Sequence, residues 1–307
     1  MNETNHSPPA GRPMGTTKAE TRAVIVDGVR EVYRVAGEGP FCPVHSGGPG
    51  VHPEYLRLPA PEEHLSMVHV DPVGSGDSDL LPDGDCSMAR YARFAEAVLD
   101  DLAARTGYFL GHWHGRFVVL QFTVDRPGRL EGLIPHDTAA EYGRELMEAA
   151  TEETAAFVQR RPDRPEAVEA GRVWEAAVVS QTMEIADDEA HRRCLHGILP
   201  ACFADYRRTV ERVGEPTLRV THDANRHPVG WDVRDRLGTI DVPALVIVGT
   251  YDFICPLSCA YETGAGPADS RLCELRASGH FGHVEEADEF TAVVLDFVHT
   301  TGKGIRT

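Results

Sequence analysis

The run Phe109-Leu110-Gly111-His112-Trp113-His114-Gly115 decides the fold of this chain. Tyr108, Phe109 and Leu110 read as a buried strand, and Phe117, Val118, Val119, Leu120 and Phe122 read as an apolar helix. Two glycines frame the single residue between them. That spacing matches G-x-S-x-G, a sharp strand-to-helix turn with an exposed serine at its tip. Here the tip is Trp113, and an indole cannot form an acyl-enzyme. The turn needs a positive φ at its tip, which is rare for a bulky residue and costs roughly 1–3 kcal/mol.

Outward from the turn, the pattern alternates strands and helices. Residues 23–26 and 32–35 read as a hairpin around Asp27-Gly28, and residues 41–45 as a third strand that runs into Ser46-Gly47-Gly48-Pro49-Gly50. Met67-Val68-His69-Val70 is a further strand, followed by the loop from Asp71 to Ser78. Ser87 caps a helix whose apolar positions Tyr91, Phe94, Ala95, Val98 and Leu102 keep helical spacing. Downstream come strands at residues 130–134, 242–249 and 272–275. A helix near residues 257–263 and a final amphipathic helix carrying Phe290, Val293, Val294, Phe297 and Val298 complete the pattern. Such alternation predicts an α/β fold with a mostly parallel sheet covered by helices on both faces. Residues 139–235 break the rhythm. They are helical, rich in Glu and Arg, without a convincing strand, and read as an inserted helical cap. The expected organisation is a disordered start at residues 1–20, a core of residues 21–138 and 236–300, and a cap of residues 139–235.

Composition narrows the partners. The chain has 307 residues and a formal net charge of -18, which argues against nucleic acid and anionic membrane surfaces. Its seven cysteines are scattered, without a C-x-x-C pair, which points to a reducing cytoplasm rather than a disulfide framework. The first residues have no apolar core of a secretory signal, and no apolar run is long enough for a membrane span. A small-molecule substrate is the expected partner, and a homodimer is compatible with the sequence.

Four signals in order carry a resemblance to a known family. They are Gly47-Gly48-Pro49-Gly50, the loop Asp71 to Ser78 (D-x-x-G-x-G-x-S), the turn at Trp113, and Gly249-x-x-Asp252-x-x-x-Pro256 followed by Gly279-His280-Phe281. The chain resembles the α/β-hydrolase superfamily, in its proline iminopeptidase-like branch, over nearly its whole length. It departs from that family at Ser46, where a histidine is usual, at Trp113, and at Arg116, where a small residue is common.

The resemblance implies roles. His280 and Asp252 would be the base and acid of a triad, with Asp137 as the alternative acid. The backbone amides at Gly47, Gly48 and His114 would form an oxyanion hole. His112 and Arg116 are further candidates for the substrate side. Arg116 is either a solvated arginine or a contact for a substrate carboxylate or phenolate. Trp113 either blocks the site, stacks a planar substrate, or fills a cavity. His45, His112, His114 and His136 lie close in sequence to these motifs, but an H-x-H spacing is a poor zinc signature, and neither metal nor cofactor is expected. Trp174-Glu175 is faintly similar to a pair that receives a substrate amino group in that branch. The leading expectation is a cofactor-independent enzyme of secondary metabolism. It would use a His–Asp general base for non-covalent chemistry on a small, aromatic or polyketide-like substrate: cyclisation, lyase chemistry, decarboxylation or water addition. The rivals are a peptide or ester hydrolase with a displaced nucleophile (Ser46 or Cys255), and a non-catalytic binding protein.

Overall fold

The computed structural model describes residues 20–47, 50–227 and 229–302. Residues 1–19 of the expected disordered start lie outside it, and Glu20 already opens the first strand. β1 (Glu20–Val26) and β2 (Val29–Ala36) form the expected hairpin, in register from Glu20↔Val35 to Val26↔Val29. Asp27 and Gly28 between them have φ of 54° and 81°. Two positive φ values in a two-residue loop match the right-handed twist of the flanking strands.

β3 (Phe41–His45) and β4 (Ser66–Asp71) follow. α1 (Met88–Asp101) starts at Ser87, whose side chain accepts from the Arg90 amide as a cap. β5 (Gly107–His112) leads through Trp113 into α2 (His114–Asp125), and β6 (Leu130–His136) comes next. Residues 139–235 then carry β7 (Glu141–Tyr142), α3 (Arg144–Arg160), α4 (Pro165–Trp174), α5 (Asp188–Ile198), α6 (Tyr206–Val213) and β8 (Trp231–Asp232). β9 (Ala244–Gly249), α7 (Leu257–Gly264), β10 (Ser270–Leu275), α8 (Gly282–Glu285) and α9 (Ala287–Thr301) end the chain.

Eight strands form one sheet in the order β1-β2-β4-β3-β5-β6-β9-β10. The β1–β2 and β2–β4 pairs are antiparallel, and every pair from β4–β3 to β9–β10 is parallel. β5 is central, and all six of its residues are buried. Its side chains alternate between two cores, as a pleated strand requires. Phe109 packs with the α1 and α2 residues Phe94, Leu99 and Phe122, whereas Tyr108 and Leu110 pack with Phe290, Val294 and Phe297 of α9.

Residues 139–235 differ from their reading in one respect. β7 and β8 pair antiparallel, Glu141↔Asp232 and Tyr142↔Trp231. This ribbon joins the two ends of that segment. Two-residue strands carry no sequence periodicity, so nothing marked them.

Candidate active site

Trp113 occupies the tip between β5 and α2 with φ 56° and ψ -123°. The glycines beside it explain why the turn closes. A Cβ on Gly115 would lie 2.0 Å from the His45 carbonyl oxygen, and one on Gly111 would lie 2.3 Å from the Gly115 oxygen. The strained tip is therefore fixed by close backbone packing on both sides. The indole is half-buried and lies against Gly47, where an added Cβ would fall 2.7 Å from its ring carbons Cδ2 and Cε3.

His280 faces the indole edge-on, with ring centroids 5.4 Å apart and planes at 84°. Its Nδ1 lies 2.9 Å from Asp252 Oδ2, and both side chains are sealed from solvent. Asp252 Oδ1 in turn accepts from the amides of Ile254 and Cys255, at 2.8 and 3.1 Å. A carboxylate so held fixes the imidazole with its proton on Nδ1 and the lone pair on Nε2. That Nε2 is buried and has no hydrogen-bond partner.

Asp137 follows β6 with φ 54°. Its Oδ1 accepts from the Gly249 amide at 2.9 Å, and its Oδ2 lies 3.9 Å from His280 Nδ1, outside hydrogen-bond range. Burial, then the neighbouring charge of Asp252, push its carboxyl well above the usual range. Of the two acids named from the sequence, Asp252 bonds the histidine.

The expected oxyanion donors fare differently. Gly48 lies outside the described residues. The Gly47 amide donates to the Tyr55 hydroxyl at 2.6 Å, so it is engaged rather than open to an oxyanion. His114 is the first residue of α2, and its amide has no acceptor within the helix. The adjoining loop is braced by the D-x-x-G-x-G-x-S motif. Asp71 accepts from the Asp77 amide and pairs with Arg34, and Ser75 Oγ accepts from the Gly50 amide at 2.9 Å. Tyr55 belongs to no motif, and nothing in the sequence marked it.

His112 was expected on the substrate side, and the structure corrects this. Its ring is fully buried, with Nδ1 2.9 Å from the Tyr55 hydroxyl and Nε2 2.6 Å from the His280 carbonyl. His136 and His283 lie beside it, 3.3 Å apart through Nε2 and Nδ1. His112, His136 and His283 bring one nitrogen each to within 4.8 Å of one another, a spacing a metal could use. The hydrogen bonds speak against that. The His280 carbonyl can only accept, so His112 Nε2 carries the proton. In the neutral ring Nδ1 then accepts from the Tyr55 hydroxyl, and no lone pair is left for a metal. Burial keeps this cluster neutral, lowering His112 and His136 well below the ordinary range and His283 to about 4.

Arg116 is not solvated. It is 1% exposed, its guanidinium lies 4.3 Å over the Phe117 ring, and Nε and Nη1 reach no partner. Trp174 is buried against Phe253 and donates to Thr151 Oγ1 at 3.0 Å, while Glu175 is exposed.

A strand-tip turn, an acid loop after β9 and a histidine loop after β10 now stand together on one mostly parallel sheet. The chain has the α/β-hydrolase fold. A hydrolase of this fold from Bacillus anthracis superposes with a TM-score of 0.68 at 20% identity, covering 91% of this chain and 99% of that one. The proline iminopeptidase of Mycobacterium smegmatis superposes with a TM-score of 0.66 at 23% identity, over 92% and 98% of the two chains. By sequence, the chain is similar to 2-hydroxy-6-oxo-6-phenylhexa-2,4-dienoate hydrolase of Comamonas testosteroni, 25% identical over 272 residues, covering 87% of this chain and 90% of that one. No family model matches the chain. Among the described residues, no helix is long and apolar enough to cross a membrane.

Proposed function

We propose that this α/β-hydrolase-fold protein is an enzyme that uses His280 as a general base, oriented by Asp252, without forming a covalent intermediate. One observation carries the reading: His280 Nε2 is buried and unpartnered, with an indole where a nucleophile would take its hydrogen bond. A base so placed accepts a proton from the substrate itself or from a water molecule. Proton transfer by a positioned side chain contributes typically ~10²–10⁴-fold, enough for useful turnover without acylation. The reactions in reach are cyclisation, lyase chemistry, decarboxylation and water addition on a small, aromatic or polyketide-like molecule. The half-buried indole of Trp113 supplies an apolar surface for such a ring.

Two features disfavour a displaced nucleophile. Ser46 is fully buried, and its hydroxyl donates to the Val51 carbonyl at 3.3 Å. Cys255 is fully buried, and burial raises its thiol well above the ordinary range, which suppresses the thiolate.

The test is solvent deuterium exchange into a panel of aromatic 1,3-diketones, followed by proton NMR. The wild-type protein exchanges the acidic carbon position, and His280→Ala does not. Equal exchange by both, or covalent labelling of the wild type by a fluorophosphonate, would refute the reading.

A further inference from the structure

Arg116 is left unexplained by the proton-transfer reading. Several other arginines of the chain meet carboxylates: Arg34 meets Asp71 and Asp77, Arg126 meets Glu96, and Arg234 meets Asp232 and Glu145. Arg116 is among the most buried large side chains, yet its Nε and Nη1 find no acceptor. The Phe117 face gives the guanidinium a π surface but no counter-charge. Leaving a buried cation unpaired is strongly destabilising.

The buried acids nearby do not neutralise it. Asp252 is committed to His280 Nδ1 and to the amides of Ile254 and Cys255. Asp137 accepts from the Gly249 amide, and burial outweighs the charge of Arg116 and pushes its carboxyl well above the usual range, so it is a poor counter-ion. The position on α2 adds a second argument. Arg116 sits in the first turn, its amide bonded to the Trp113 carbonyl. The start of a helix carries a partial positive charge, which repels a cation and attracts an anion. The Phe117 ring under the guanidinium also packs against Tyr142 and Trp231, so Arg116 lies where α2 meets the β7–β8 ribbon.

We infer that Arg116 binds a carboxylate of the substrate and so orients the reacting carbon toward His280. A guanidinium fork matches a carboxylate with two parallel hydrogen bonds, which a lysine ammonium cannot do. This rests on the reading of His280 as a general base and narrows its substrate to a carboxylic acid.

The experiment uses the full chain in a zwitterionic buffer of low ionic strength, with sodium acetate and sodium benzoate as probes and methyl benzoate as the neutral control. Binding is followed by calorimetry and by the Arg116 Nε–H resonance. Benzoate is expected to bind the wild type and shift that resonance, and methyl benzoate is expected to do neither. Arg116→Met is expected to weaken benzoate at least about tenfold, with Arg116→Lys intermediate. Where Arg116→Met does not fold, the wild-type resonance decides. No shift with either salt, equal binding of the ester, or unchanged benzoate affinity in a folded Arg116→Met would overturn the inference. His280→Ala separates the two readings. Benzoate binding that depends on Arg116, with proton exchange unaffected by His280→Ala, leaves the anion site standing and removes the base. Exchange lost in His280→Ala, with benzoate indifferent to Arg116, does the reverse.

Discussion

His280 Nδ1 stands 2.9 Å from Asp252 Oδ2 and 3.9 Å from Asp137 Oδ2, so one of two buried acids orients the imidazole and the other only borders it. Asp252→Asn leaves an amide that can present the wrong group to Nδ1 and is expected to lower turnover by ~10²–10⁴-fold. Asp137→Asn keeps the Gly249 amide bonded through its carbonyl and is expected to retain most of the activity. The measurement is the deuterium-exchange rate of each variant beside its thermal melt. A larger loss from Asp137→Asn would reverse the assignment.

Trp113→Ser places a hydroxyl at the tip of a turn whose glycines, base and acid are still in place. The variant is expected to become labelled by a fluorophosphonate and to gain slow esterase activity on a p-nitrophenyl ester, while the wild type does neither. Labelling lost again in Trp113→Ser/His280→Ala would show that His280 activates the new hydroxyl. An unlabelled, folded Trp113→Ser would mean that the engaged Gly47 amide leaves too little oxyanion support.

Gly47 and Trp113 form a packing pair. Gly47→Ala drives a methyl to within 2.7 Å of the indole and is expected to cost about 1–3 kcal/mol. In a Trp113→Ser background the ring is gone, and the same substitution is expected to cost much less. The coupling energy from the four unfolding measurements tests this directly. Additive effects would show that the indole can swing clear of the glycine.

Acid should destabilise the fold through its buried histidines. Burial lowers His45 and His283 to about 4, and His112, His114 and His136 well below the ordinary range. The unfolded chain titrates near ~6.5, so below that pH it binds protons the fold refuses. This stability is present above pH ~6.5 and is lost as pH falls toward ~4, at up to ~1.4 kcal/mol per pH unit for His45 and for His283. Asp137, Glu31, Glu141 and Glu285, raised mainly by burial, act in the opposite sense but are fewer than the lowered histidines. The midpoint of thermal unfolding should therefore fall steeply from pH 6.5 to pH 4, and less steeply in His283→Gln. A flat profile would contradict the neutral cluster.

The fold was legible because its strands are short, apolar and punctuated. The Asp27-Gly28 turn, the Ser87 cap and the alternation along β5 each carry a local signal that the structure honours. The His280–Asp252 pair was legible through its flanking glycines and proline. Tyr55 was not, because its hydroxyl meets the Gly47 amide from a one-turn helical segment that carries no motif. The inward turn of His112 was hidden for the same reason, since its partners arrive from Tyr55 and from the carbonyl of His280. Burial of Arg116 could not be read either. A cation on an otherwise apolar helix start is indistinguishable in sequence from one that reaches solvent.

The half-buried ring at the strand tip also has a genetic meaning. Tryptophan is encoded by UGG and serine by UCG, so a single base separates the two residues. With the bend, the histidine and its acid already assembled, one base change at this codon is all that separates the indole from a hydroxyl at the tip.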